Sequence, residues 1–130
     1  MFAAYRTPAN SYQDVSVQTG LTDASPHRLI AMLYEGGLDA ISRARQALAT
    51  GDIARRGKAT THAIRIIDEG LKAALDNRAG EISGRMSSLY EYMTRRLLTA
   101  NLNADDSQYA EVASLLSQLR DGWDGIAPSL

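Results

Sequence analysis

The sequence contains no cysteine and only three prolines among its 130 residues. Without cysteine, the chain can form neither a disulfide scaffold nor a cysteine metal site. No apolar run approaches the roughly 20 residues that span a bilayer, so no direct membrane insertion is expected. Arg6, Pro8 and Asn10 interrupt the start of the chain, which therefore does not resemble a signal peptide. These absences favour a cytoplasmic protein.

A surplus of charge of one sign is also lacking, since the formal net charge is −1. Proteins that bind nucleic acid or an anionic membrane surface usually carry a positive surplus, so neither partner is expected. The length suits one domain with a real core, and the hydrophobic content of 45% is ordinary for a globular protein.

Motifs that carry catalysis or metal binding are missing as well. Di-iron bundles need Glu-x-x-His on two helices, whereas an alanine stands three residues before both His27 and His62. No P-loop or GxGxxG is present. Glu35 and Asp39 lie one helical turn apart, but a solvated face with an Asp39–Arg43 ion pair explains them better than acid–base chemistry. We therefore expect no enzyme, no metal ion and no cofactor.

What the sequence does contain is four long apolar periodicities with start and stop residues. Ser25-Pro26 and Asp52 are typical helix starts, and Gly51 is a typical helix end. The predicted helices cover residues 26–49, 52–76, 83–102 and 106–125. Because short loops make neighbouring helices antiparallel, the predicted fold is all-α, an antiparallel up-down-up-down four-helix bundle over residues 25–127. An irregular N-terminal segment, residues 1–24, precedes it.

Helices one to three each show two adjacent apolar rows, which is wider than one core face requires. In the third helix the first row is Met86, Leu89, Met93, Leu97 and Ala100, and the second is Tyr90, Thr94, Leu98 and Leu102. In the second helix the core is expected to receive Ile53, Gly57, Thr60, Ile64, Ile67, Leu71 and Ala74. Ion pairs are expected for Asp68–Lys72 and Glu91–Arg95. The surplus apolar surface would be covered by the N-terminal segment, a second copy or a partner helix.

Six blocks of the sequence resemble one known family. They are YQDVSV (12–17), ASPHRLIAMLYEG (24–36), GDIARRGKA (51–59), IRIIDEGLKAALD (64–76), LYEYMTRRLLTANL (89–102) and EVASLLSQLRDGW (111–123). Together they resemble the FliS family of flagellin export chaperones, in register from about Tyr12 to Trp123. The tail before Tyr12 matches poorly.

This resemblance implies a cytoplasmic, non-enzymatic four-helix bundle that binds the C-terminal region of newly made flagellin. Such chaperones prevent early polymerisation and deliver flagellin to the cytoplasmic domain of the type III export gate, a membrane protein. Some relatives also bind an anti-sigma factor. A bundle with surplus apolar rows suits this task, because it can order a disordered amphipathic segment as a helix in a groove.

The expected binding residues come from two parts of the chain. Tyr12 matches a tyrosine near the start of family members that is associated with docking on the gate. With Val15 and Val17, it is expected to cover the empty groove and to dock on the gate. The adjacent rows supply the expected flagellin-binding residues Leu33, Tyr34, Leu38, Ile66, Tyr90, Met93 and Leu98.

The alternative hypothesis is a homodimeric structural or signalling helix bundle, whose extra apolar rows meet another copy. Molecular size distinguishes the two. A monomer that forms a one-to-one complex with a flagellin C-terminal fragment favours the chaperone, whereas a tight dimer indifferent to flagellin favours the alternative.

Overall fold

A computed structural model describes residues 25–75 and 80–126, which form helices and short turns, with no strand among them. Helix α1 is Pro26–Thr50, α2 is Ile53–Arg65, α3 is Glu81–Asn103 and α4 is Asp106–Asp124. A π-helical segment, Ile66–Lys72, continues α2. The predicted bounds of helices one, three and four agree within two residues. The predicted N-terminal segment lies outside the described residues, and the domain boundary beside it stays a prediction.

The caps explain where the helices begin. The Ser25 hydroxyl accepts a hydrogen bond from the Arg28 amide, and Pro26 occupies the first turn of α1. Asp52 accepts from the Arg55 amide in the same way, and Asp105 accepts from the Ser107 amide. Each side chain pairs an amide that has no partner within its own helix.

Two tight turns of the same construction connect α1 to α2 and α3 to α4. Gly51 has φ 74° and Ala104 has φ 51°, so both residues adopt the left-handed conformation that ends many helices. The following amides reach back, Asp52 N to Ala47 O at 2.9 Å and Asp105 N to Ala100 O at 3.0 Å. The two turns lie at one end of the bundle, the turn end, and Ser25 and Ile126 lie at the other, the open end.

The helices pack in a ring in chain order. Helix α1 lies along α2 and α4, and α3 lies along α4 and along α2 with its π-helical continuation. With short connections, this ring is the predicted antiparallel up-down-up-down four-helix bundle, and the all-α fold class is confirmed. The core holds Ile41 and Ile67 from the first two helices and Met93, Leu97, Val112 and Leu116 from the last two.

Two buried hydroxyl pairs connect helices that face each other across this ring. Tyr34 of α1 and Tyr90 of α3 share a hydrogen bond of 2.7 Å between their hydroxyls. Thr60 donates to the Arg56 carbonyl at 2.7 Å, so the Tyr109 hydroxyl must donate to Thr60 Oγ1, also at 2.7 Å. The core therefore contains polar groups that satisfy one another.

The second helix differs from its prediction in two ways. A regular α-helix over 52–76 was expected, but the helix changes to π-helical geometry at Ile66. Within that segment Ile67 and Leu71 of the expected core row are buried, and so are Ile66 and Gly70, which are outside that row. A Cβ on Gly70 would lie 3.0 Å from Leu33 Cδ2, so glycine allows α1 to approach closely. At the other end of α2, Ile53 was expected in the core but is exposed.

One of the predicted ion pairs is wrong. Asp39–Arg43 and Asp68–Lys72 form as predicted. Glu91, however, pairs with Lys72 of the π-helical segment at 3.0 Å and not with Arg95. A neighbouring helix offers Glu91 a closer cation than its own helix does, and this partner cannot be read from spacing along one helix.

We predict that Leu97→Ala destabilises the bundle by about 2–5 kcal/mol, because it removes a fully buried side chain and leaves a cavity. The matched control is Leu102→Ala on the same helix, where the side chain is exposed and the expected change is within about 0.5 kcal/mol. Chemical denaturation of both variants measures the difference. Equal stability of the two would show that the core face of α3 is wrongly assigned.

Candidate functional site

An apolar groove of about 550 Å³ lies at the open end of the bundle. We call it the end groove. All four helices contribute to it, among them Ile30 of α1, Met86 of α3 and Leu119 of α4, and Tyr34 and Tyr90 also line it. Ile82 at its edge is exposed. Burial raises the pKa of the Tyr34 hydroxyl, so Tyr34 stays neutral and adds no charge to the groove.

One wall of the end groove is held by a reciprocal contact between His27 and Trp123. The Trp123 indole N–H donates to the His27 carbonyl at 2.9 Å. The His27 Nε2 atom lies 2.9 Å from the Trp123 carbonyl, which only accepts, so Nε2 carries the proton. The two rings stack with centroids 4.9 Å apart. The contact ties the start of α1 to the last turn of α4.

The structure places most of the predicted flagellin-binding side chains inside the bundle. Five of them are buried: Leu33, Tyr34, Ile66, Tyr90 and Met93. Leu38 is partly buried and lines a shallow groove between α1 and α4. Leu98 is exposed. In this conformation, therefore, a partner can contact Leu98 and Leu38 directly, whereas the five buried residues support the surface without being exposed on it.

A second apolar surface lies at the turn end. Arg56 of α2 donates to the Asn101 side chain at 3.0 Å and to its carbonyl at 3.1 Å, which sets the start of α2 beside the end of α3. Ile53, Leu98 and Leu102 lie there with 69%, 54% and 75% of their surface exposed. We call these three residues the α2–α3 patch. The sequence had placed Leu98 and Leu102 in one row, but Ile53 was missed because it continued the core periodicity of α2.

The remaining predicted site residues, Tyr12, Val15 and Val17, lie outside the described residues. For the part of the chain that is described, no cluster of three or more His, Asp or Glu side chains is suited to hold a metal ion. In the same ranges no helix is both long and apolar enough to cross a membrane.

A third surface is charged. It is a groove of about 610 Å³ between α1 and α2, which we call the basic groove. Arg43 contributes from α1, and Arg55, Lys58 and Arg65 contribute from α2, with His62 between them. Burial lowers the pKa of His62 most, and nearby Arg43 lowers it further. Asp39 opposes this by raising the pKa, and Arg65 makes the smallest contribution, which lowers it.

We predict that His62 titrates below its ordinary pKa of 6.5 in the folded protein. The neutral form is favoured by folding, so this contribution to stability is present above the unfolded pKa and is lost as the pH falls below it. An NMR titration of the imidazole resonances measures the midpoint, with His62→Gln to identify the signal. A midpoint at or above 6.5 would contradict the described surroundings of His62.

Comparisons with known proteins agree with this architecture. The family model described as "Flagellar protein FliS" matches residues 8–130. A flagellar secretion chaperone FliS from Salmonella typhimurium is 48% identical over 119 residues, covering 91% of this chain and 88% of the relative. FliSB from Pseudomonas aeruginosa is 45% identical, covering 89% of this chain and 92% of the relative. FliS from Bacillus subtilis is 39% identical, covering 92% and 86%.

These matches span nearly the whole chain, as the sequence resemblance does. The family consists of chaperones and not of enzymes, in agreement with the lack of catalytic motifs. On this evidence the chain belongs to the FliS family of flagellar proteins.

Proposed function

We propose that this protein is a cytoplasmic flagellar export chaperone that binds the C-terminal region of flagellin, prevents premature polymerisation and delivers flagellin to the type III export gate. The relatives named flagellar secretion chaperones support the general role. The observation that carries the specific proposal is the exposed α2–α3 patch. It contains the predicted binding residue Leu98 and Leu102 from the same apolar row.

The apolar surface is divided between the two ends of the molecule. Ile82 lines the end groove and Leu98 belongs to the α2–α3 patch. The two residues are 16 positions apart on α3, which corresponds to about 24 Å along the helix. A short motif cannot touch both surfaces. A long segment that is disordered until it binds can do so, and the C-terminal region of flagellin is proposed as that segment.

Competition explains how binding would prevent polymerisation. A flagellin segment whose apolar face is packed on the chaperone cannot use the same face in a filament. This action needs only burial of apolar surface, and no hydrolysis site. An anti-sigma factor is a further partner suggested by the resemblance alone.

We predict that Leu98→Asp/Leu102→Asp weakens binding of a flagellin C-terminal fragment at least about tenfold, because a buried charge without a partner opposes docking. Both side chains are exposed, so the melting temperature should change little. Ser88→Asp is the control, since it places a carboxylate on an exposed site of the same helix away from the patch. Calorimetric titration measures the affinities.

Two results would count against this proposal. Unchanged affinity in the double variant would show that the patch is not the flagellin surface. A free protein that is a tight dimer, becomes monomeric in the double variant and ignores flagellin would favour the homodimeric bundle instead.

We predict a different outcome for Tyr12→Ala. If the N-terminal segment covers the empty groove and Tyr12 docks on the export gate, the variant keeps its melting temperature and its flagellin affinity but secretes less flagellin. Loss of an internal competitor would even tighten binding slightly. Melting, affinity and secretion are measured on the same variant. Loss of flagellin binding by a stable variant would place Tyr12 in the flagellin-binding surface instead.

A further inference from the structure

The basic groove is distinguished by the lack of acidic side chains in its lining, as far as the chain is described. Within the described residues its walls contain four cationic side chains, one histidine and no carboxylate. Arg43 is offset by Asp39 at 3.1 Å, and Arg65 is offset by Glu69 at 3.5 Å. No ion pair joins Arg55 or Lys58 to another residue in the described ranges. The groove therefore keeps a local positive charge although the whole chain is nearly neutral.

The sequence alone does not reveal this arrangement. Arg55 and Arg56 are adjacent, and such a pair usually means a solvated surface. In the structure the two side chains separate. Arg56 turns towards α3 and bonds to Asn101, whereas Arg55 lines the groove with Arg43 of α1.

The spacing of the cations has the period of a helix. Arg55, Lys58, His62 and Arg65 follow one another at steps of three, four and three, which places them in one row about 15 Å long. Carboxylates on a partner helix repeat at the same steps, so one acidic side chain per turn can meet this row. Gly57 and Ala59 also line the groove.

We propose that the basic groove binds an acidic helical segment of a partner protein, with carboxylates of that segment paired to Arg55 and Lys58. Concavity favours a protein segment over a membrane, because an anionic bilayer meets a flat or convex surface. The net charge of −1 also gives no long-range attraction to a polyanion. None of the three residues of the α2–α3 patch lines the basic groove, so this contact is additional to flagellin docking and does not rest on it.

The test uses the full chain and an alanine-based helical peptide of about 20 residues with glutamates at steps of three and four. A matched peptide carries glutamine at the same sites. Fluorescence anisotropy measures both at low and at physiological salt. We expect the glutamate peptide to bind, the glutamine peptide to bind at least about tenfold more weakly, and added salt to reduce the affinity.

The variant Arg55→Glu/Lys58→Glu should lower the affinity for the glutamate peptide at least about tenfold. Its control, Arg28→Glu/Arg85→Glu, changes the net charge equally at exposed sites outside the groove and should bind almost as the parent does. Thermal melting confirms that both variants fold. Equal binding of the two peptides, or equal loss in the two variants, would overturn the proposal. The proposal would also be overturned if the glutamate peptide did not bind while phosphatidylserine vesicles bound in a way that depends on Arg55 and Lys58.

Discussion

Two buried hydroxyl pairs restrict how the four apolar helix faces can meet. Apolar burial supplies most of the driving force for such a bundle, but it is not directional, so burial alone does not select one register of the helices. The pairs Tyr34–Tyr90 and Thr60–Tyr109 each join helices across the ring. Sliding either helix would leave a buried hydroxyl without its partner, which costs about 1–3 kcal/mol. Register is therefore fixed near both ends of the bundle, and the three surfaces described above depend on that register.

The sequence was sufficient to predict what depends on neighbours along the chain. Ser25, Asp52 and Gly51 act within one helical turn, so caps and helix bounds could be read directly. The partner of Glu91 could not, because Lys72 comes close only after α3 packs on the π-helical segment. The His27–Trp123 contact joins residues 96 positions apart, so no local sequence pattern predicts it. The change to π-helical geometry at Ile66 likewise accompanies the close approach of Leu33 to Gly70.

The predicted flagellin-binding residues show the same limit. Periodicity identifies two apolar rows on α3, but it does not say which row faces the core. Tyr90 and Leu98 belong to the same row, but the structure buries Tyr90 almost completely and leaves 54% of the Leu98 surface exposed. A row chosen for its width thus mixes side chains that support the bundle with side chains that a partner can touch. Only the packing of the neighbouring helices separates them.

The energetics of ordering a disordered partner argue that one apolar surface is not enough. Fixing the backbone of one residue costs about 1–2 kcal/mol, and full burial of a leucine or isoleucine returns about 1.5–3 kcal/mol. A segment must therefore bury close to one apolar side chain for each residue or two that it orders. The α2–α3 patch offers three such side chains, which are already partly buried. Under the proposed function, a segment long enough to shield a filament-forming region would also need the end groove, where Ile82 is exposed and Met86 and Leu119 line the walls. The His27–Trp123 contact holds one wall of that groove in place before binding, so less ordering remains to be done when the partner arrives.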